Sequence, residues 1–79
     1  MRLDKFIKLS RLIKRRTVAK EFCELGKVSI NSKIAKPSSE VKEGDILELD
    51  FGNTKLKISV ESLDAGKNKD DAKAMYKEI

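Results

Sequence analysis

The first apolar residues of the chain recur at helical spacing. Leu3, Phe6 and Ile7 lie three and four positions apart, and this spacing places side chains on one face of an α-helix. Asp4 precedes most of this pattern and is a favourable N-cap residue, because its carboxylate suits the positive end of a helix. The pattern therefore predicts a first helix from about Asp4 to Leu9.

A second helical pattern follows a short basic stretch. Thr17 is a candidate N-cap for this segment, and Gly26 is typical of a helix end. We therefore predict a second helix over residues 17–25. The apolar residues at helical spacing within it are Val18, Ala19, Phe22, Cys23 and Leu25.

After Gly26 the apolar period changes from 3.6 to 2, which is typical of β-strands. Asn31-Ser32 and Gly52-Asn53 are turn signals between the alternating segments. The predicted fold class is α+β, with two N-terminal helices packed on a small antiparallel sheet. The apolar strand positions are Val28, Ile30, Ile34, Ala35, Ile46, Leu47, Leu49, Phe51, Leu56, Ile58 and Val60.

The C-terminal segment is predicted to be an appendage. We assign residues 1–64 to the domain and residues 65–79 to an extension, with a joint at Ala65-Gly66. Residues 70–79 could form a short final helix, because Ala72, Met75, Tyr76 and Ile79 share one helical face. On this interpretation, a chain truncated at Gly66 keeps its fold.

Basic residues are concentrated at the N-terminus. The chain has 79 residues, 39% of them charged, and a net charge of +5. The first twenty residues carry eight basic side chains against one acid, Asp4, and all four arginines lie within the first sixteen. The remaining residues are slightly acidic. This segregation favours a polyanionic partner: RNA, DNA or, less readily, an anionic membrane surface. The alternative is a solvated helix surface.

Several function classes fit the composition poorly. The chain has no histidine and one cysteine, so it lacks the commonest general base and metal ligand and any internal disulfide. Cys23 lies on the apolar face of the second helix, which favours a buried, inert thiol. We predict a binding module without cofactor or metal and not an enzyme. The N-terminus has no apolar signal segment, so we expect a cytoplasmic protein that does not enter the membrane.

The predicted helix starts point to phosphate binding. Two helix N-termini with free backbone N–H groups would lie near the arginines, an arrangement that binds anions. Arg16 is the first candidate, because it immediately precedes the predicted Thr17 cap, and Asp4 is more readily a structural residue. Lys27, Lys33 and Lys36 either extend this surface or are merely solvated. The other candidate contacts are Arg2, Lys5, Arg11, Lys14, Arg15 and Lys20.

The aromatic residues favour folded RNA over single strands. Phe6, Phe22 and Phe51 have apolar neighbours at matching periodicity, which predicts core positions. Modules for single-stranded RNA usually display exposed aromatic rings for base stacking. We therefore predict recognition of RNA shape through phosphates.

Four motifs in order resemble a known family. These are RLDKF (residues 2–6), KRRTVAKEF (14–22) and, within GKVSINSKIAKPSSEVKEGD (26–45), a Gly-x-Val hairpin and a Lys-Pro-Ser…Gly-Asp segment. Their order over about residues 1–50 resembles the RNA-binding domain named after the fourth small-subunit ribosomal protein, the S4 domain. The resemblance implies its α+β (αL) fold. Ser32 departs from the family pattern, which usually has glycine there, so the turn type is open.

The chain is similar to stand-alone family members of bacterial ribosome-associated quality control, which are relatives of the heat-shock-fifteen family. The resemblance implies binding to large ribosomal subunits that carry peptidyl-tRNA, with contacts to 23S rRNA and tRNA. It also implies a nascent-chain tailing factor of the RqcH type as partner, which adds alanine to the stalled chain. The resemblance implies that the RNA contacts are Arg2 and residues 14–17, which include Arg16, the foremost candidate, and Thr17.

Other functions remain open at this stage. A general ribosome assembly or recycling factor would use the same fold and the same basic surface. A DNA-binding regulator fits less well, because a recognition helix offers Asn, Gln and Arg to base edges. The second helix instead offers Lys20, Glu21 and Glu24.

Overall fold

The computed structural model describes residues 1–63 and 75–79. Two short helices precede a five-stranded antiparallel sheet, which confirms the α+β prediction. No helix in these two ranges is long and apolar enough to cross a membrane. The elements are α1 (Leu3–Leu9), α2 (Arg16–Glu24), β1 (Val28–Ile30), β2 (Lys33–Ile34), β3 (Ile46–Asp50), β4 (Lys55–Val60) and β5 (Tyr76–Glu78).

The core lies between the helices and one face of the sheet. The strand order is β2-β1-β3-β4-β5. Leu47 pairs with Ile58 across β3 and β4, so the period-2 alternation of both strands turns its apolar side chains to the same face. The fully or nearly fully buried apolar residues described are Leu3, Phe6, Ile7, Ala19, Cys23, Val28, Ala35, Val41, Leu47, Leu49, Ile58, Val60 and Met75.

Helix α2 ends as its glycine predicted. Gly26 has a φ of +74°, its N–H donates to the Cys23 carbonyl at 3.0 Å, and the Lys27 N–H donates to the Phe22 carbonyl at 3.3 Å. These two bonds form the Schellman motif, in which a left-handed residue closes the last helical turn. The motif directs the chain from α2 into β1.

The predicted N-caps are wrong at both helices. Helix α1 begins at Leu3 with Arg2 in the cap position, and α2 begins at Arg16 with Arg15 in the cap position; neither cap residue makes a side-chain capping bond. Asp4 and Thr17 therefore lie inside the first turns. Cap preference is local, whereas the start of α1 is set by backbone partners distant in sequence, described below.

The predicted C-terminal helix is wrong for residues 76–78. Tyr76–Glu78 is strand β5, and Tyr76 pairs with Val60 of β4. Met75 is fully buried, and its carbonyl accepts the Glu61 N–H at 2.8 Å. Pairing with a strand distant in sequence has overridden the local helical pattern. The part of that prediction that covers residues 70–74 lies outside the described residues, and the domain boundary at residue 64 stays a prediction.

The turn between β1 and β2 is tight despite its serine. Ile30 pairs with Lys33, so only Asn31 and Ser32 form the loop. Both have positive φ, +50° and +72°, which is the type I′ geometry of two-residue hairpins. The Asn31 side chain holds the turn, because its Oδ1 accepts the Ile46 N–H at 2.9 Å. The Ser32 side chain makes no comparable bond. Its positive φ is strained, because a residue with a Cβ rarely adopts the left-handed conformation.

Replacing Ser32 with glycine should stabilise the protein. Glycine adopts positive φ without the steric cost that a Cβ brings, which stabilises the folded state. Part of this stabilisation is offset, because glycine also gives the unfolded chain more conformational entropy. We expect a net increase of about 0.5–1 kcal/mol in the free energy of unfolding. Chemical denaturation measures it. Ser29→Gly, in β1, is the matched control and should destabilise. Equal losses for both variants would contradict the strained turn.

Candidate nucleic-acid interface

The start of α1 is clamped by the segment that follows β2. The Leu3 N–H donates to the Ser39 carbonyl at 2.8 Å, and the Asp4 N–H donates to the Pro37 carbonyl at 3.2 Å. Arg2 forms an isolated antiparallel bridge with Glu40. These contacts fix the position of the backbone from which the Arg2 side chain extends. In the sequence, the Lys-Pro-Ser motif at residues 36–38 is the signal for this clamp.

Asp4 joins the two helix starts through arginines. Its side chain is only 3% exposed, and its Oδ1 lies 3.2 Å from Arg2 Nε and 3.7 Å from Arg16 Nη2. The same oxygen accepts the Lys5 N–H at 2.8 Å. Each guanidinium is about half exposed and has five donors, so donors remain for a ligand. Asp4 is thus a structural residue, as predicted, and it positions both arginines.

These arginines line a shallow depression together with two further residues of α2. Thr17 and Lys20 complete it, with Asp4 beneath the arginines. Arg16 and Lys20 are four residues apart and so share one helical face. Lys20 also lies 4.0 Å from Glu24, an exposed ion pair that contributes little stability. We call Arg2, Arg16, Thr17 and Lys20 the basic depression.

Helix α2 carries cations at the end where helices favour anions. Arg15 occupies its cap position, Arg16 its first turn, and no acid lies in that turn. The helix dipole disfavours positive charge there by about 0.3–1 kcal/mol per exposed residue. An arrangement that costs stability and gathers guanidinium groups at a helix N-terminus is suited to binding phosphate.

The N-terminus of α1 does not contribute free donors, contrary to the prediction of two open helix starts. The N–H groups of Leu3, Asp4 and Lys5 are all bonded within the protein. Among the described residues, only the first turn of α2 therefore has backbone N–H groups available to a ligand. The anion-binding character of the site comes from side chains and from one helix.

The structure separates the remaining predicted contacts from this depression. Lys5, Arg11, Lys14 and Arg15 are exposed, but none of them lines the basic depression. Arg11 lies in the turn after α1 with a φ of +63°, so its backbone has a structural part in ending that helix. Their contact with RNA stays a prediction.

The structure agrees with only part of the prediction that the three phenylalanines lie in the core. Phe6 is fully buried, as predicted, and Phe22 is partly buried. Phe51 is 42% exposed, so its assignment to the core is wrong. It follows the last residue of β3, where the strand alternation ends, and its ring packs on Phe22 at a centroid distance of 5.2 Å. Lys27 Nζ lies 5.6 Å from the Phe22 ring centroid, a cation–π contact.

Cys23 is a buried thiol in the structure. It is 2% exposed, and burial, with smaller effects of Asp4 and Glu24, raises its pKa from 9.0 to about 11. Since only the thiolate is nucleophilic, the native thiol is unreactive at neutral pH. The predicted burial of Cys23 is confirmed.

Alkylation should therefore require unfolding. We expect iodoacetamide at pH 8 to label Cys23 far more slowly in the native protein than in denaturant, because burial blocks the thiol and holds it protonated. Since the folded pKa is raised, the stability that the neutral thiol contributes is present below pH 9 and is lost as pH rises towards 11. Mass spectrometry measures the labelling rate. Equal rates in both states would contradict burial.

Comparisons with known proteins agree with the fold. The sequence profile of the S4 domain matches residues 1–47. A protein of Bacillus subtilis named "RQC P-site tRNA stabilizing factor" is 51% identical over 76 residues, which cover 96% of this chain and 88% of the relative. A protein of the same name from Halalkalibacterium halodurans is 46% identical over 76 residues, covering 96% of this chain and 86% of the relative.

A solved structure shares the whole architecture. Heat shock protein 15 of Vibrio cholerae, described as trimeric, superposes with a TM-score of 0.90 at 32% sequence identity. The match covers all of this chain and 81% of the other. The overall fold is therefore shared by two proteins that are only 32% identical in sequence.

Proposed function

This chain belongs to the S4 domain family, and from that premise we propose that it is an RNA-binding factor of ribosome-associated quality control. It binds large ribosomal subunits that carry peptidyl-tRNA and stabilises the tRNA there. It contacts 23S rRNA and tRNA and so supports alanine tailing of the nascent chain by a factor of the RqcH type. The proposed site of action is the cytoplasm.

One observation carries the proposal: Asp4 holds Arg2 and Arg16 side by side. Their distances to Asp4 Oδ1 are 3.2 and 3.7 Å, so two planar forks share one anchor. Arginine forks match phosphate oxygens in pairs. Relatives covering nearly the whole chain are named for stabilising P-site tRNA, which supports tRNA as one of the ligands.

The proposed mechanism is binding without catalysis. The basic depression offers two guanidinium groups, an ammonium group and a hydroxyl, which donate hydrogen bonds to phosphate and ribose. The carboxylate of Asp4, which lies against the basic depression, is engaged by both arginines and by a backbone N–H. These groups recognise the shape of an RNA backbone, and the proposal assigns no bond-making or bond-breaking step to them.

Co-sedimentation with purified large subunits tests the proposal. We expect the protein to pellet with subunits that carry peptidyl-tRNA and to remain largely in the supernatant with empty subunits. If about five phosphates are contacted, raising salt from 50 to 200 mM should lower the affinity roughly 10²–10³-fold. Equal binding to empty subunits, or preference for precursor particles, would contradict the role and favour an assembly factor.

A further inference from the structure

A second groove opens beside the basic depression. It shares Arg2 and Lys20 with that depression, so the two concavities are adjacent. Its volume is about 520 Å³, within the range of roughly 300–1,000 Å³ that small-molecule sites occupy. The groove runs between α2 and the segment from Ile34 to Ser38.

The groove is apolar inside and basic at its edge. Cys23 and Ala35 are buried and form the floor, and Pro37 lies beside them. Ile34 forms an exposed apolar wall, with 73% of its surface open to solvent. Lys36 adds a third cation to the shared pair. Such an exposed isoleucine on an edge strand has no role in the core.

We propose that this groove holds an unpaired nucleobase of the bound RNA. The inference rests on the proposed function and deepens it, since it names an RNA with an extrahelical nucleotide as the ligand. The backbone phosphates lie in the basic depression, and the base turns into the neighbouring groove against Ile34 and Pro37. Ser38, which also lines the groove, offers a hydroxyl to the base edge.

The charge of the groove favours a nucleotide over an apolar peptide. Three cations, Arg2, Lys20 and Lys36, line it against one acid, Glu24. Glu24 already lies 4.0 Å from Lys20 Nζ, so it offsets only part of that charge. An apolar peptide would cover the apolar floor but would offer no anionic group to Lys36 or to the remaining donors of Arg2 and Lys20, whereas a nucleotide presents a flat apolar base and an anionic phosphate together.

The test compares two RNA hairpins that differ by one nucleotide. One is fully paired, and the other carries a single unpaired adenosine in its stem. We expect the wild-type protein to bind the bulged hairpin about five- to tenfold more tightly, from the apolar surface buried by the base. Ile34→Ser should abolish this preference and leave the affinity for the paired hairpin unchanged.

Leu25→Ser is the matched control. Leu25 is 70% exposed and does not line the groove, so its loss should leave the preference intact. Equal binding of both hairpins by the wild type, or an unchanged preference in Ile34→Ser, would overturn the inference. Failure of the wild type to bind either hairpin or tRNA-bearing subunits would overturn the proposed function itself, which distinguishes the two failures.

A fluorescent base gives a direct readout of the groove. With 2-aminopurine at the unpaired position, we expect emission to rise on addition of the wild-type protein, because the base leaves its stacked neighbours for an aliphatic surface. The rise should be absent with Ile34→Ser and retained with Leu25→Ser. An equal rise with Ile34→Ser would contradict the proposed seat of the base.

Discussion

Replacing Arg16 with alanine should weaken binding to tRNA-bearing large subunits about ten- to a hundredfold, the loss of one or two charge-assisted hydrogen bonds. Arg16 Nη2 lies 3.7 Å from Asp4 Oδ1, and its remaining donors are available to phosphate. The slope of log affinity against log salt should fall by about 1, because one phosphate contact is lost. Arg16→Lys should recover only part of the affinity, since an ammonium group cannot bind bidentately.

This loss should not arise from unfolding. The Arg16 side chain is 51% exposed, and its contact with Asp4 is long. Removing a cation from a helix N-terminus raises the free energy of unfolding by about 0.3–1 kcal/mol, and this offsets the loss of the ion pair with Asp4. The melting temperature should therefore stay nearly unchanged. Lys42→Ala, which removes the same charge outside both concavities, is the control; an equal loss of affinity in that variant would contradict a specific role for Arg16.

Truncating the chain at Gly66 should abolish cooperative unfolding. The sequence pattern favoured the opposite outcome, but the structure places Met75 in the core with no exposed surface. Removing a buried methionine side chain costs about 2–5 kcal/mol, and a domain of this size has only about 3–5 kcal/mol of core stability. The truncation also removes β5 and Ile79, the residue that follows it. The Ile79 N–H donates to the Lys57 carbonyl at 2.9 Å, so this bond to β4 is lost as well.

Two variants of the full chain separate the contributions of core and sheet. Met75→Ala should lower the free energy of unfolding by about 2–5 kcal/mol, whereas Met75→Leu, which conserves volume, should cost less than about 1.5 kcal/mol. Circular dichroism during thermal denaturation measures both. A truncated chain with a cooperative transition at the full-length temperature would show that Met75 and β5 are dispensable.

Elements with strong local periodicity were predictable from the sequence. Helix α1 and strands β3 and β4 have apolar spacings that match their structures. Gly26 ends α2 in a left-handed conformation, which glycine adopts more readily than other residues. Strand β5 was not predictable, because its apolar residues fit a helical face equally well. Only its pairing with β4, which is distant in sequence, selects the strand.

The sequence indicated which basic residues to consider for the candidate site, but not how they are arranged. The gathering of arginines near the N-terminus indicated a polyanion, and Arg2, Arg16 and Lys20 do meet in one depression. That Asp4 joins them depends on the packing of α1 against α2, which no local pattern encodes. The adjoining groove depends on the approach of Ile34 to α2, for the same reason.

The most direct test of the account is the identity of the RNA that the protein binds in cells. The tagged protein would be purified from cells with stalled ribosomes, and its bound RNA sequenced beside that of Arg16→Ala and Lys42→Ala. We predict recovery of 23S rRNA together with tRNA, lost in Arg16→Ala and retained in Lys42→Ala. Recovery of precursor rRNA without tRNA, or of no RNA at all, would contradict a role on tRNA-bearing large subunits.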